Sequence, residues 1–151
     1  MLREQISEAY KKAMKAKDQK SVSTIRLIQA ALKDRDIAAR GKGISDGISE
    51  SEIQEMLTKM VRQRKDSIDL YEQGGRLELA QQEQAEIDVI ANFLPKQMSE
   101  DDVASAVESI IGELNAQGLK DIGPCMAELK KRHAGSMDFS KASAMVKQKL
   151  S

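Results

Sequence analysis

The chain has 151 residues, of which 40% are apolar and 3% aromatic, with no tryptophan and with 24 basic residues balanced by 24 acidic ones. That length accommodates one ordinary domain or two small ones, and a core of Ile, Leu, Val, Met and Ala with few aromatic or β-branched runs argues against a sheet. Zero net charge excludes a global field that would draw the protein onto nucleic acid or anionic membrane, and the single cysteine, Cys125, excludes an internal disulfide and suits a reducing interior, with the cytoplasm as the default compartment.

Leu2, Ile6, Ala9, Tyr10, Ala13 and Met14 recur at steps of three and four, which predicts a helix ending near Lys17. With no continuous apolar run, this segment reads as the first helix of a domain rather than a secretory signal or a membrane-surface segment. No window approaches the roughly 18 apolar residues of a membrane span. A second helix turns Ile25, Ile28, Ala31, Leu32 and Ile37 inward and breaks at the glycine-rich GKGISDG. Ser49 with Glu52 three residues later forms a capping box, from which a third helix runs about 25 residues to Gly74, roughly 37 Å. So long a helix needs a comparable partner. Gly74 and Gly75 end it, and Arg76 to Asn92 returns as a fourth helix with Leu79, Ala80, Ile87, Ile90 and Leu94 inward.

Pro95 stops the fourth helix, and a domain boundary is placed there. Ser99 caps a fifth helix over residues 100–116, carrying Val103, Val107, Ile110 and Ile111 inward. A short helix follows over Pro124–Arg132, and Asp138 caps a last one over residues 139–150. The expected architecture is all-α: a four-helix bundle-like domain with a long hairpin at residues 1–95, then a small three-helix domain at 96–151.

Neutrality hides a gradient. Residues 3–42 carry eleven Lys/Arg against five Asp/Glu, residues 66–113 two against twelve, and residues 126–151 six against two. Acidic helices packed on basic ones would neutralise each other. Alternatively, Lys130, Lys131, Arg132, Lys141, Lys147 and Lys149 form a basic face on the last helices, suited to phosphates. Only Phe139 is available there for stacking, so structured RNA backbone fits better than single strands. On the third helix Arg64 falls in register with the apolar stripe, as does Glu83 on the fourth, at a similar height above the Gly-Gly turn. A charge on an apolar face needs a partner, so an interhelical ion pair is expected from Arg64 to Glu83, with Glu86 the other possible acceptor.

Catalytic chemistry is hard to find. One histidine, His133, and one cysteine cannot build a multi-His or multi-Cys zinc site, and their spacing does not favour a dyad. Cys125 reads as a small core residue. No phosphate-binding glycine loop follows a strand, so neither metal nor cofactor is expected.

The segment RQRKDSIDLYEQGGRLELAQQEQAEIDVIANFLPKQMS at residues 62–99 resembles the signature of the GatB/YqeY family in its stand-alone, YqeY-like form. The likeness extends to STIRLIQAALKDRDI, KDIGPCMAELKKRHAG and MDFSKASAMVKQKL, and so covers nearly the whole chain. It departs from the usual pattern at Pro124 and Cys125 and in MDFSKAS. The resemblance implies an N-terminal helical bundle and a smaller C-terminal helical domain similar to the tail of the glutamine-dependent aspartyl/glutamyl-tRNA amidotransferase B subunit, which helps hold tRNA. It therefore implies a non-catalytic binding protein that engages tRNA or a tRNA-modifying complex. A helical protein-interaction scaffold is the alternative. The family's association with carbon–nitrogen ligase activity, glutamine as amide donor, is a third reading, and no amide transfer is expected of the chain alone, since it displays no nucleophile, metal site or nucleotide loop.

Overall fold

The computed structural model describes residues 1–151, all of them in helices, turns and short connections. No helix is long and apolar enough to cross a membrane. The chain divides into two compact units, Met1–Pro95 and Lys96–Ser151.

The first unit contains α1 (Leu2–Lys15), α2 (Gln19–Gly41), α3 (Glu50–Gln73) and α4 (Leu77–Ala91). α1 ends without glycine: Lys17 takes φ 56°, and the amide of Asp18 closes back onto the carbonyl of Ala13. Asp18 then caps α2 by accepting from the Ser21 amide. The capping box at the start of α3 is complete, with Ser49 accepting from the Glu52 amide and Glu52 accepting from the Ser49 amide, so two otherwise orphaned donors are satisfied. At the hairpin turn only Gly75 is left-handed, at φ 72°, while Gly74 has φ −86°.

α3 and α4 pack along each other as an antiparallel hairpin, α1 lies on α2, and α2 packs on both hairpin helices. Ile6, Ile28, Ile53, Met56, Leu57 and Ile90 are fully buried between them. Each such side chain contributes roughly 1.5–3 kcal/mol. This core takes in α3 only as far as Val61 and α4 only from Val89 onward. Beyond it Ala80 and Ile87 of α4 are still buried, while the inward positions Ile68 and Tyr71 of α3 are only half-buried.

Several expected core positions are corrected. Leu79, in the first turn of α4, is 37% exposed. Ile37, at 52%, sits on the rim of a groove between α1 and α2, and Met14, at 49%, lies in the last turn of α1. The seam of the hairpin is closed by charge. Arg64 donates from Nε to Glu86 Oε2 at 2.9 Å and from Nη1 to the Met60 carbonyl at 3.1 Å. Glu86, rather than Glu83, is thus the hydrogen-bonded acceptor. Glu83 is left half-buried beside it, and burial followed by the Glu86 charge raises its pKa.

Another ion pair joins distant segments. Arg3 grips Asp36 through two hydrogen bonds of 2.8 Å and also donates to the Ile48 carbonyl at 2.9 Å, while Asp36 accepts from the Ile48 amide at 2.9 Å. α1, α2 and the connection into α3 are tied at one point.

The second unit contains α5 (Glu100–Glu113), a 3-10 turn at Leu119–Asp121, α6 (Ile122–His133) and α7 (Phe139–Leu150). Each of its three helices packs on the other two, around a core that includes Val107, Ile110, Cys125, Leu129, Ala142 and Val146. Ser99 and Asp138 cap α5 and α7. α6 begins two residues before Pro124, which still lies in its first turn, where a missing N–H is tolerated. Gln97 Nε2 donates to the Gly135 carbonyl at 2.7 Å and the Met98 amide to the Ser136 carbonyl at 2.9 Å, fixing the incoming chain against the α6–α7 connection.

Candidate nucleic-acid interface

The six basic residues expected to form a face, Lys130, Lys131, Arg132, Lys141, Lys147 and Lys149, are all exposed on α6 and α7. Their positions follow from helical spacing. Leu129 on α6 and Ala142, Val146 and Leu150 on α7 are buried, so the intervening positions point to water.

They are not equivalent. Arg132 donates from Nη2 to Glu113 Oε2 at 2.7 Å and from Nε to Glu128 Oε1 at 2.8 Å, and Lys149 donates to Glu108 Oε1 at 2.8 Å. Hydrogen bonding to these cations lowers the pKa of Glu113 and Glu108, and the Glu113 and Glu128 carboxylates raise that of Arg132. Acidic α5 thus neutralises part of the expected basic face. Lys130 lies over the Phe139 ring, 6.0 Å from its centroid, a cation–π arrangement that leaves the ring's face covered. Lys131, Lys141 and Lys147 are exposed and have no carboxylate partner. The local positive charge is therefore sparse and distributed.

Catalytic groups are not gathered here. Cys125 is fully buried, and that burial, aided by the Asp121 charge, raises its thiol pKa, the opposite of what a nucleophile needs. No cluster of three or more His, Cys, Asp or Glu side chains could hold a metal ion. One charged surface was not singled out by sequence: Lys33 and Arg40 on α2 border the α1–α2 groove with Arg3. The signal available was the basic excess of residues 3–42, but periodicity alone did not show that these side chains share a groove.

The sequence pattern of the YqeY-like protein family matches residues 3–150, essentially the whole chain. The chain belongs to this family. Relatives include Altered inheritance of mitochondria protein 41, mitochondrial, from Lachancea thermotolerans, which is 34% identical over 106 residues, covering 69% of this chain and 54% of that protein. The proteins of the same name from Saccharomyces cerevisiae and Eremothecium gossypii are 33% and 30% identical, covering 71% and 74% of this chain and 57% and 60% of their own lengths. The YqeY-like chain thus spans little more than half the length of the curated relatives it matches.

These relatives correct the cytoplasmic assignment, since their names place them in mitochondria. A single buried cysteine cannot form an internal disulfide in any surroundings, so it does not distinguish one compartment from another.

Proposed function

We propose that this YqeY-like protein is a non-catalytic binding protein whose C-terminal unit engages the phosphate backbone of structured RNA, tRNA being the first candidate, within a tRNA-associated assembly. The observation that carries this reading is the contrast within the basic face. Lys131, Lys141 and Lys147 remain exposed without carboxylate partners, on the same helices where Arg132 and Lys149 are ion-paired. Unpaired surface lysines are available for counterion-releasing contacts with phosphate. Family membership supports the same reading, through the likeness to a tRNA-holding tail.

The test is the salt dependence of tRNA binding by the purified chain. Replacing Lys131, Lys141 and Lys147 together with Gln should reduce the slope of log affinity against log salt by about 2 to 3, at just under one per phosphate contact. Arg132→Gln and Lys149→Gln should each change it far less. Absence of binding at low ionic strength, or a slope unchanged in the triple variant, would overturn the reading.

A further inference from the structure

The first unit is electrically two-sided. Residues 1–42, which form the α1–α2 layer, carry eleven Lys/Arg against five Asp/Glu, and residues 43–95, with the α3–α4 hairpin, carry five against eleven. Packing does not cancel this asymmetry. Within the basic layer Asp36 is held by Arg3 and Glu4 by the N-terminal ammonium, while Lys11, Lys12, Lys15, Lys17, Lys20, Arg26 and Lys33 form no ion pair with α3 or α4.

The excess is concentrated at one end of the layer. From residue 9 to residue 33 those seven cations, all exposed, accompany one carboxylate, Asp18. Glu8 and Asp34 flank the stretch, and Glu8 reaches only Lys11, at 3.9 Å. Both oxygens of Asp18 accept from Ser21, one from its amide and one from its hydroxyl, and these bonds, with a smaller contribution from Lys20, lower the Asp18 pKa. Arg26 Nε donates to the Tyr10 hydroxyl at 3.1 Å, so the second half of α1 lies beside the first turns of α2. Lys11 to Lys15 and Lys20 to Arg26 cover roughly 6 and 9 Å of their helices. Six cations therefore crowd the end of the layer where α1 turns into α2.

The surroundings define the partner. A membrane-surface helix sinks an apolar face into lipid, but that face of α1, Leu2, Ile6 and Ala13, is buried in the unit's own core. Met14 and Leu27 are the large apolar side chains left exposed between residues 9 and 33. Arg26 lies over the half-buried Tyr10 ring, 5.8 Å from its centroid, so the aromatic group there is not open to stacking by a single-stranded base. Exposed lysines without carboxylate partners suit phosphates, and cations on two adjacent helices form a patch rather than a line, as the backbone of an RNA double helix requires.

We propose that this end of the α1–α2 layer, bearing Lys11, Lys12, Lys15, Lys17, Lys20 and Arg26, is a second RNA-binding surface that contacts the phosphate backbone of double-helical RNA. It rests on the reading that the chain binds structured RNA, and adds a surface on the other unit.

Binding of the full chain to tRNA over a salt series tests this, starting from the variant with Lys131→Gln, Lys141→Gln and Lys147→Gln. That variant should retain tRNA binding. Adding Lys12→Gln, Lys15→Gln and Lys17→Gln should weaken the residual binding at least about tenfold at low salt and lower the salt slope by about 2 to 3 more. Lys12→Arg, Lys15→Arg and Lys17→Arg in the same background should leave binding nearly unchanged, which separates loss of charge from loss of fold.

Residual binding indifferent to the three Gln changes in α1 and its end would overturn the inference. So would binding already abolished in the starting variant, with the C-terminal reading left standing. A wild-type slope reduced by the Lys12, Lys15 and Lys17 changes but not by the C-terminal ones would uphold the inference and overturn that reading, and a wild type that binds no tRNA at low salt would overturn both. Adsorption to phosphatidylserine-containing vesicles that depends on Lys12, Lys15 and Lys17, without tRNA binding, would make the partner a lipid surface and also overturn the inference.

Discussion

Arg64 bonds Glu86 across the hairpin at 2.9 Å, while Glu83, one turn away on the same helix, lies half-buried without that bond. The two glutamates therefore have opposite effects on stability. Glu86→Gln removes the charge that compensates a guanidinium only 14% exposed, and should destabilise by about 1–3 kcal/mol, less than a fully buried pair would lose. Glu83→Gln removes a charge that burial and Glu86 disfavour, and should be neutral or stabilising. Urea unfolding midpoints at neutral pH for both variants check the difference in sign.

Acid should act on Arg3 and Asp36. The bidentate Arg3 guanidinium, together with the Ile48 amide, lowers the Asp36 pKa from 3.8 to about 2. A carboxylate with a depressed folded-state pKa contributes stability above its unfolded value and loses it as pH falls through the folded one. The first unit should therefore lose about 1–2 kcal/mol between pH 4 and 2 from this group. Asp36→Asn should lower stability at pH 7 and flatten that part of the pH profile. Glu83 works the other way, because its raised pKa makes protonation favourable to the fold.

Gly47 adjoins the same ion pair. It has φ +85°, and a Cβ there would lie 2.6 Å from both Arg3 Nη2 and Asp36 Oδ1. Gly75 has a similar φ, +72°, but open space around it. Gly75→Ala should cost the left-handed conformational penalty alone, about 1–2 kcal/mol. Gly47→Ala should cost measurably more, since it must also displace the ion pair. Thermal melts of the two variants make the comparison at nearly matched backbone geometry.

Lys17 offers the reverse change. It closes α1 at φ 56°, where a side chain is disfavoured and glycine is common. Lys17→Gly should raise stability by about 0.5–1 kcal/mol, net of the entropy that glycine adds to the unfolded chain. The denaturant midpoint of the first unit's transition is the measurement.

Cys125 reports on the second unit alone. Its thiol is fully buried and its pKa raised, so alkylation of the native protein should be far slower than that of a free thiol. The rate should rise with urea along the second unit's opening. Rapid labelling in buffer would contradict the packing around Cys125.

Much of the helical framework was readable from local chemistry. Ser49 with Glu52, Ser99 and Asp138 are signals confined to one turn of chain, and the structure uses all of them as caps. Apolar spacing placed the end of α1 near Lys17, but the left-handed conformation there carries no such signal, because it is imposed on a residue with no preference for it. Apolar spacing picked the inward faces, but not how much of each face the packed helices cover. Hence Leu79, Ile37 and Met14 satisfy the helical pattern and are still exposed.

The same division applies to charge. Helical register placed Arg64 near two carboxylates, and the choice of Glu86 depended on side-chain geometry in the packed hairpin. The basic excess of α6 and α7 was visible as composition. Its partial neutralisation by Glu108 and Glu113 was not, because those residues lie 41 and 19 positions from Lys149 and Arg132. Sequence by itself determined the helices, most of their ends, the apolar faces and the family, since these follow from interactions within a few residues or from recurring motifs. Tertiary structure alone decided which cations remain unpaired and which inward positions of the hairpin are covered, since each depends on groups brought together only when the helices pack.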